Sequence, residues 1–164
     1  MGFKKIITTP HVMSDFYKNT PEIILSGLEA IRKELKNQSI DIEIDAAAEY
    51  YVDFDFTEEL SEKKFLTFGD NNLLIETSFI AAPPNFEDII FQLQLAKYKV
   101  VFAHPERYLF MSIKDLQKLK FKSVDLQMNL LSLIGYYGKE VQLRAEKLIQ
   151  LGLVDYVGTD CHNL

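Results

Sequence analysis

Several things are scarce in this sequence, and each shortage closes off a class of protein. The 164 residues hold one cysteine, so no internal disulfide can form, a composition that fits a reducing, cytoplasmic compartment. No apolar run approaches the roughly 20 residues of a membrane span, and the start, MGFKKIITTPHV, lacks the apolar stretch of a signal peptide. Positive charge is in deficit: 18 Lys and Arg against 24 Asp and Glu give a net charge of −6, which argues against a nucleic-acid grip. The charge is mild enough to leave room for a local cationic pocket. No internal repeat, low-complexity stretch or linker divides the chain, so residues 1–164 read as a single domain long enough to bury a real core. Histidine is scarce too, with three in all, and their placement is informative.

Strand and helix patterns alternate throughout, the mark of a parallel α/β fold. Strands are predicted at Lys5–Thr8, Ile42–Ala48, Asn72–Glu76, Lys99–Ala103, Ser123–Gln127 and Val154–Thr159. A helix is expected over Pro21–Leu35, with proline in its first turn and Ile24, Leu28, Ile31 and Leu35 on one stripe. Another runs from an Asn85 cap to about Lys97 (Ile89, Ile90, Leu93, Ala96), and a third over Ile113–Leu119 opens on Ser112 with Asp115 three places on. Short helical turns at Glu58–Lys63 and Leu130–Tyr136 and a longer helix over Lys139–Leu151, stopped at Gly152, complete the pattern. Gly2 and Phe3 read as the end of a helix-to-strand loop, and the chain stops just after a strand. The expectation is therefore a barrel cut at both ends.

His11, His104 and His162 each follow a short apolar run (KKIITTP, YKVVFA, LVDYVGTDC). Two further apolar stretches deliver acids, Glu49 in IEIDAAAEYY and Glu76 in NNLLIETSF, and Asp160 stands two places before His162. Taken singly, each has an ordinary explanation as a loop, strand-end or turn residue. Taken together, they occupy one relative place in the strand–loop cycle, and in a parallel barrel all such places lie on one rim. Imidazoles and carboxylates packed closely need divalent cations to offset their repulsion and desolvation, and mixed ligands of this kind suit manganese, iron or zinc. An extended strand end would point Asp160 and His162 to the same side. In His-Pro-Glu-Arg-Tyr, Pro105 should hold His104 extended, and Arg107 would project toward the cations to grip a phosphate, unless it pairs with Glu106 at the surface. Tyr50, Tyr51 and Phe54 form either an aromatic wall for a flat substrate group or ordinary core and lid. Cys161 reads as a small packed residue. With three residues after it and no arginine, it cannot head a cysteine-phosphatase loop.

The ordered set TTPH, AAAEYY, LLIETSF, AHPERY, QMNLLSLIGYYG and GTDCHN resembles the tyrosine phosphatases of the polymerase-and-histidinol-phosphatase (PHP) superfamily found in bacterial capsule and exopolysaccharide loci. The resemblance covers the whole chain. It implies a distorted (β/α)7 PHP-type TIM-like barrel with three manganese ions. Glu49 would bridge two ions, Glu76 and His104 would complete the second site, Asp160 would serve the first, and His11 with His162 the third. Arg107 would hold the phosphoryl group while a metal-bound hydroxide attacks phosphorus. The implied partner is the phosphotyrosine tail of an autophosphorylating bacterial kinase that regulates polysaccharide export.

The chain departs from the family pattern in two places. A first strand with a His-x-His pair and a nearby acid, and a further arginine beyond the last motif, have no counterpart in it. The expectation is a barrel lacking its first βα unit and its C-terminal end, weakly active or inactive alone, with an open strand edge that invites association. Rival readings are another PHP phosphoesterase, such as a histidinol phosphatase, and a non-catalytic module that binds a phosphopeptide or a subunit. Glu76, where that phosphatase branch tends to use histidine, and the HPERY run favour the tyrosine phosphatase.

Overall fold

Parallel strands alternating with helices curl into an open half-barrel whose concave face gathers Glu49, Glu76 and His104. The computed structural model describes residues 4–58, 60 and 64–162. The Gly2–Phe3 reading and most of the Glu58–Lys63 excursion fall outside the described residues; a short helix, α2 (Phe54–Glu58), precedes the latter. The strands are β1 (Lys5–Thr8), β2 (His11–Val12), β3 (Glu43–Ala46), β4 (Glu49–Tyr51), β5 (Asn72–Glu76), β6 (Lys99–Ala103), β7 (Asp125–Asn129) and β8 (Tyr156–Gly158). The other helices are α1 (Pro21–Asn37), α3 (Phe86–Leu95), α4 (Ile113–Phe121) and α5 (Lys139–Gln150), with 3-10 turns at Pro105–Arg107 and Leu130–Ile134. β1 pairs with β3, the remaining six strands run in the order β2-β4-β5-β6-β7-β8, and the pairings are parallel.

The predicted Ile42–Ala48 strand is two strands. β3 ladders with β1, then the chain steps across Ala47 and Ala48, both fully buried, and continues as β4 in the larger sheet. β1 makes the same step at Thr9-Pro10 into β2. The two bends are tied together by Ala47 N donating to the Thr8 carbonyl (2.9 Å) and Glu49 N to that of Pro10 (3.0 Å). Methyl side chains are what allow this close passage. Its result is that His11 and Glu49 become paired neighbours in the ladder.

β5 and β6 form the buried centre, and their alternation sorts the residues. Leu73, Ile75, Val100 and Phe102 join Ile89, Ile90, Leu93 and Leu116 of the helices in the main core. Leu74, Val101 and Ala103 face the other way, against Phe68 and Tyr156. Glu76 follows Leu74 by two and so shares that concave face.

The helix boundaries shift by a few residues for local reasons. α1 is capped by the Thr20 hydroxyl, which accepts from Ile23 N (3.3 Å), and runs two residues past the prediction; Ile24 and Leu28 are buried but Ile31 is exposed. Asn85 precedes α3 without a side-chain cap, and Ala96 is exposed beyond the helix end. The Ser112–Asp115 capping box is complete, with reciprocal bonds of 3.2 and 3.0 Å. β7 lies two residues later than the pattern suggested, because Ser123 takes a left-handed conformation (φ 58°) while Val124 N still closes α4 onto Leu119 O. That shift carries Asn129 to the sheet's functional end.

Candidate metal centre

The carboxylates of Glu49 and Glu76 are almost entirely buried, about 5% exposed each, and face the same point on the concave rim. Two imidazoles flank them. His104 Nε2 is 3.2 Å from Glu49 Oε1 and 3.4 Å from Glu76 Oε2. His11 Nδ1 is 2.8 Å from Glu76 Oε1 and 3.5 Å from Glu49 Oε2, at ion-pair distance without hydrogen-bond geometry. Donor atoms of His11, Glu49 and Glu76 lie within 4.8 Å of one another, a spacing that suits a shared ion. His162 stacks on His11 (ring centroids 5.1 Å apart), with the two Nε2 atoms 2.9 Å from each other.

Asp160 stands beside this group and collects donors on one oxygen: Arg107 Nη1 at 3.0 Å, Asn129 Nδ2 at 2.6 Å and Tyr137 OH at 3.3 Å, all to Oδ2. Its other oxygen, Oδ1, is 3.6 Å from His162 Nδ1. Asp160 is not on an extended strand end. β8 stops at Gly158, and Asp160 takes a positive φ of 49°, turning the chain so that the carboxylate points inward while His162 stays exposed. Cys161, between them, is exposed rather than packed.

His104 is likewise left-handed (φ 34°, ψ 53°), not extended as its following proline suggested. Its N–H still completes the strand ladder, donating to Gln127 O at 2.7 Å, so the whole reversal into the 3-10 turn falls on this one residue. Such strain persists only where the surroundings hold it. Here the ring is buried between the two glutamates and the aromatic rings of Phe79 and Tyr108. Arg144 of α5 stakes the turn from behind, donating to the carbonyls of Glu106 (3.1 Å), Tyr108 (3.1 Å) and Met111 (2.9 Å). Glu106 does not pair with Arg107 at the surface. It is fully buried, accepting from Ser132 Oγ (2.6 Å) and Asn129 N (3.0 Å), and burial pushes its carboxyl pKa up.

The electrostatics match a cation site. Burial works against charging His104, but the carboxylates of Glu49 and Glu76 outweigh it and raise the imidazole to about 9. Glu76 is desolvated too, yet His104 and His11 bring it down to about 2. His11 is raised by Glu76, against its own burial. Two carboxylates out of water demand positive charge, and imidazolium protons or a divalent ion can each supply it. The fit to metal is strengthened by His11 Nδ1, a buried nitrogen that faces both carboxylates without making a hydrogen bond.

A cavity of about 710 Å³ adjoins the cluster, lined on one side by residues of β1 and β2 and on the other by Tyr156, Val157 and Gly158 of β8. Of the aromatics after Glu49, Tyr50 is core: it is buried, with its hydroxyl accepting from Leu66 N at 2.8 Å. Tyr51 is partly buried, and the side chain of Phe54 lies outside the described residues. Three residues at the site lie within the quoted motifs LLIETSF and QMNLLSLIGYYG but were assigned no role from sequence. Asn129 is one; Phe79 and Tyr137, which sandwich Arg107 with 4.4 Å from its Cζ to each ring centroid, are the others.

Residues 1–164 match the family described as capsular polysaccharide synthesis, CpsB/CapC. The chain belongs to the CpsB/CapC family. Among its curated relatives, the tyrosine-protein phosphatase YwqE of Bacillus subtilis (strain 168) is 29% identical over 168 residues, covering 99% of this chain and 65% of YwqE. CapC of Staphylococcus aureus is 23% identical over 164 residues, covering 97% of this chain and 64% of CapC. The chain thus spans about two thirds of the length of these relatives. A solved structure from work on YwqE and on CpsB of Streptococcus pneumoniae, described as metal-dependent tyrosine phosphatases, superposes with a TM-score of 0.89 at 29% identity, covering 99% of this chain and 67% of that one. The half-barrel described above is therefore the CpsB/CapC fold.

Proposed function

We propose that this chain is a divalent-metal phosphomonoesterase that hydrolyses protein phosphotyrosine. The carrying observation is the convergence of Glu49 and Glu76 with His11 and His104 on one buried rim, with Arg107 and Asp160 alongside. Membership of the CpsB/CapC family and similarity to relatives named as tyrosine phosphatases support the substrate. We take the sheet as the arc of a distorted (β/α)7 PHP-type barrel, a reading supported by β1 and β8 facing each other across the cavity.

Glu49, placed between His11 and His104, suits a bridging carboxylate. Glu76 and His104 would serve the second ion with it, Asp160 the first, and His11 with His162 the third. Manganese is the proposed metal, and the mixed nitrogen and oxygen donors also accept iron or zinc. Bound ions would acidify an attacking water and neutralise the phosphoryl oxygens. The protein's own contribution is orientation and charge. Arg107, pinned between two rings and tied to Asp160, presents a fixed guanidinium to the phosphoryl group. Asn129 and Tyr137 hold Asp160 in place through its Oδ2. The proposed partner is the phosphotyrosine tail of an autophosphorylating tyrosine kinase of a capsule locus, met in the cytoplasm; among the described residues no helix is long and apolar enough to cross a membrane.

Hydrolysis of a phosphotyrosine peptide, compared with histidinol phosphate and with or without chelator, tests this reading. Slow manganese-dependent release of phosphate from the peptide is expected, in keeping with the weak activity anticipated for this chain. Preference for histidinol phosphate would move the chain to another branch of the superfamily. Peptide binding that survives chelation, without turnover, would make it a binding module.

A further inference from the structure

An unbroken aromatic column runs from the core to the rim of the site. Phe102 stacks on Tyr108 (centroids 4.8 Å apart), Tyr108 on Phe79 (5.5 Å), the Arg107 guanidinium lies between Phe79 and Tyr137 (4.4 Å to each), and Tyr136 meets Tyr137 edge-on at 5.0 Å. Its inner members are buried. Its outer members are not: Phe79 is 47% exposed and Tyr136 is 70% exposed. Phe79 touches both His104 and the Arg107 guanidinium and still leaves nearly half its surface open, a placement beside the charged cluster that suits a ligand with a flat apolar face.

We propose that Phe79 is a specificity residue that selects aryl over alkyl phosphomonoesters: it clamps Arg107 together with Tyr137 and offers its own exposed ring surface to the leaving group. This rests on the phosphatase reading above. A phosphoryl group held by Arg107 beside Glu49, Glu76 and His104 directs its ester oxygen outward, past Phe79. A tyrosine ring then lies in reach of the exposed part of Phe79 and keeps the peptide backbone clear of the rim. A serine ester has no ring to place there and would have to bring its backbone into the mouth. Among the described residues Arg107 donates to Asp160 through Nη1, which leaves the rest of its fork to the phosphoryl oxygens.

Binding of phenylphosphonate and methylphosphonate to the manganese-loaded chain, measured by calorimetry, tests recognition apart from turnover. The chain should bind the aryl ligand about tenfold more tightly, the scale of one good ring contact. Phe79→Leu, which keeps apolar volume without the ring, should weaken both ligands through the loosened Arg107 but the aryl ligand more, bringing the two affinities within about twofold. Phe79→Ala should do the same. Equal affinities in the parent chain, or an aryl preference that survives both substitutions, would overturn the inference. A parallel loss for both ligands would also overturn it, since it would reduce Phe79 to a packing partner of Arg107. Aryl preference without hydrolysis of any phosphomonoester would strike the proposed reaction and leave the recognition standing.

Discussion

Tyr108→Phe removes one oxygen and should cost far more than its size suggests. The Tyr108 hydroxyl accepts the backbone N–H of Thr77 at 3.1 Å, and both residues are buried, at 0% and 1% exposure. Phenylalanine keeps the ring and with it the stacking on Phe102 and Phe79, so the change isolates the hydrogen bond. It leaves an amide in the interior without an acceptor, and a buried donor stripped of its partner costs about 1–3 kcal/mol. For a domain of this length ~2 kcal/mol corresponds to a fall in Tm of about 4–8 °C. Urea unfolding should show a lower midpoint with unchanged m, because the surface exposed on unfolding is the same. Thr77 directly follows Glu76, so manganese affinity should weaken in the same variant. A loss below about 0.5 kcal/mol at unchanged m would refute the reasoning, since Thr77 would then have found another acceptor.

Ser132→Ala takes one of two donors from the buried Glu106 carboxyl and should destabilise by about 1–3 kcal/mol in urea unfolding, while the exposed control Ser26→Ala on α1 should stay within about 0.5 kcal/mol. His104→Ala should abolish metal-dependent phosphate release and lower manganese affinity in calorimetry. In the chelated protein, His104 holds its proton more tightly when folded (about 9) than its ordinary value of 6.5. Its stabilising contribution is therefore complete below pH 6.5 and lost as pH rises through about 9, and the urea midpoint should fall over that window. Glu76 has the opposite sign: its folded value of about 2 lies below the ordinary 4.5, so its contribution is present above pH 4.5 and lost as pH falls through about 2. Circular dichroism of the chelated chain across acid and alkaline titrations would check both limbs.

The strands whose sequences are dense in buried apolar residues were the legible ones. Asn72–Glu76 and Lys99–Ala103 begin and end where their patterns say; Lys5–Thr8 does so too, although Ile6 and Ile7 are exposed. The rim position of Glu76 could be read directly, because it closes such a run. What sequence could not supply was backbone handedness. Histidine and aspartate enter the left-handed region more readily than most residues, but still in a small minority of cases, and proline after His104 argued for extension. Both are held there by long-range contacts, to Glu49 and Glu76 in one case and to Arg107, Asn129 and Tyr137 in the other. Asn129 was hidden by a two-residue strand shift. Phe79 was hidden because nothing local in Ser78-Phe79-Ile80 indicates a neighbour some thirty positions away. The stacking arginine at 107 could have prompted a search for rings, but not identified which.

The central claim is that the two buried glutamates and His104 form a cation site. Anomalous diffraction at the manganese edge, from crystals of this chain grown with manganese, tests it most directly. The account predicts a peak within coordinating distance of Glu49, Glu76 and His104. An empty cluster under saturating manganese, or ions bound only elsewhere on the surface, would contradict it.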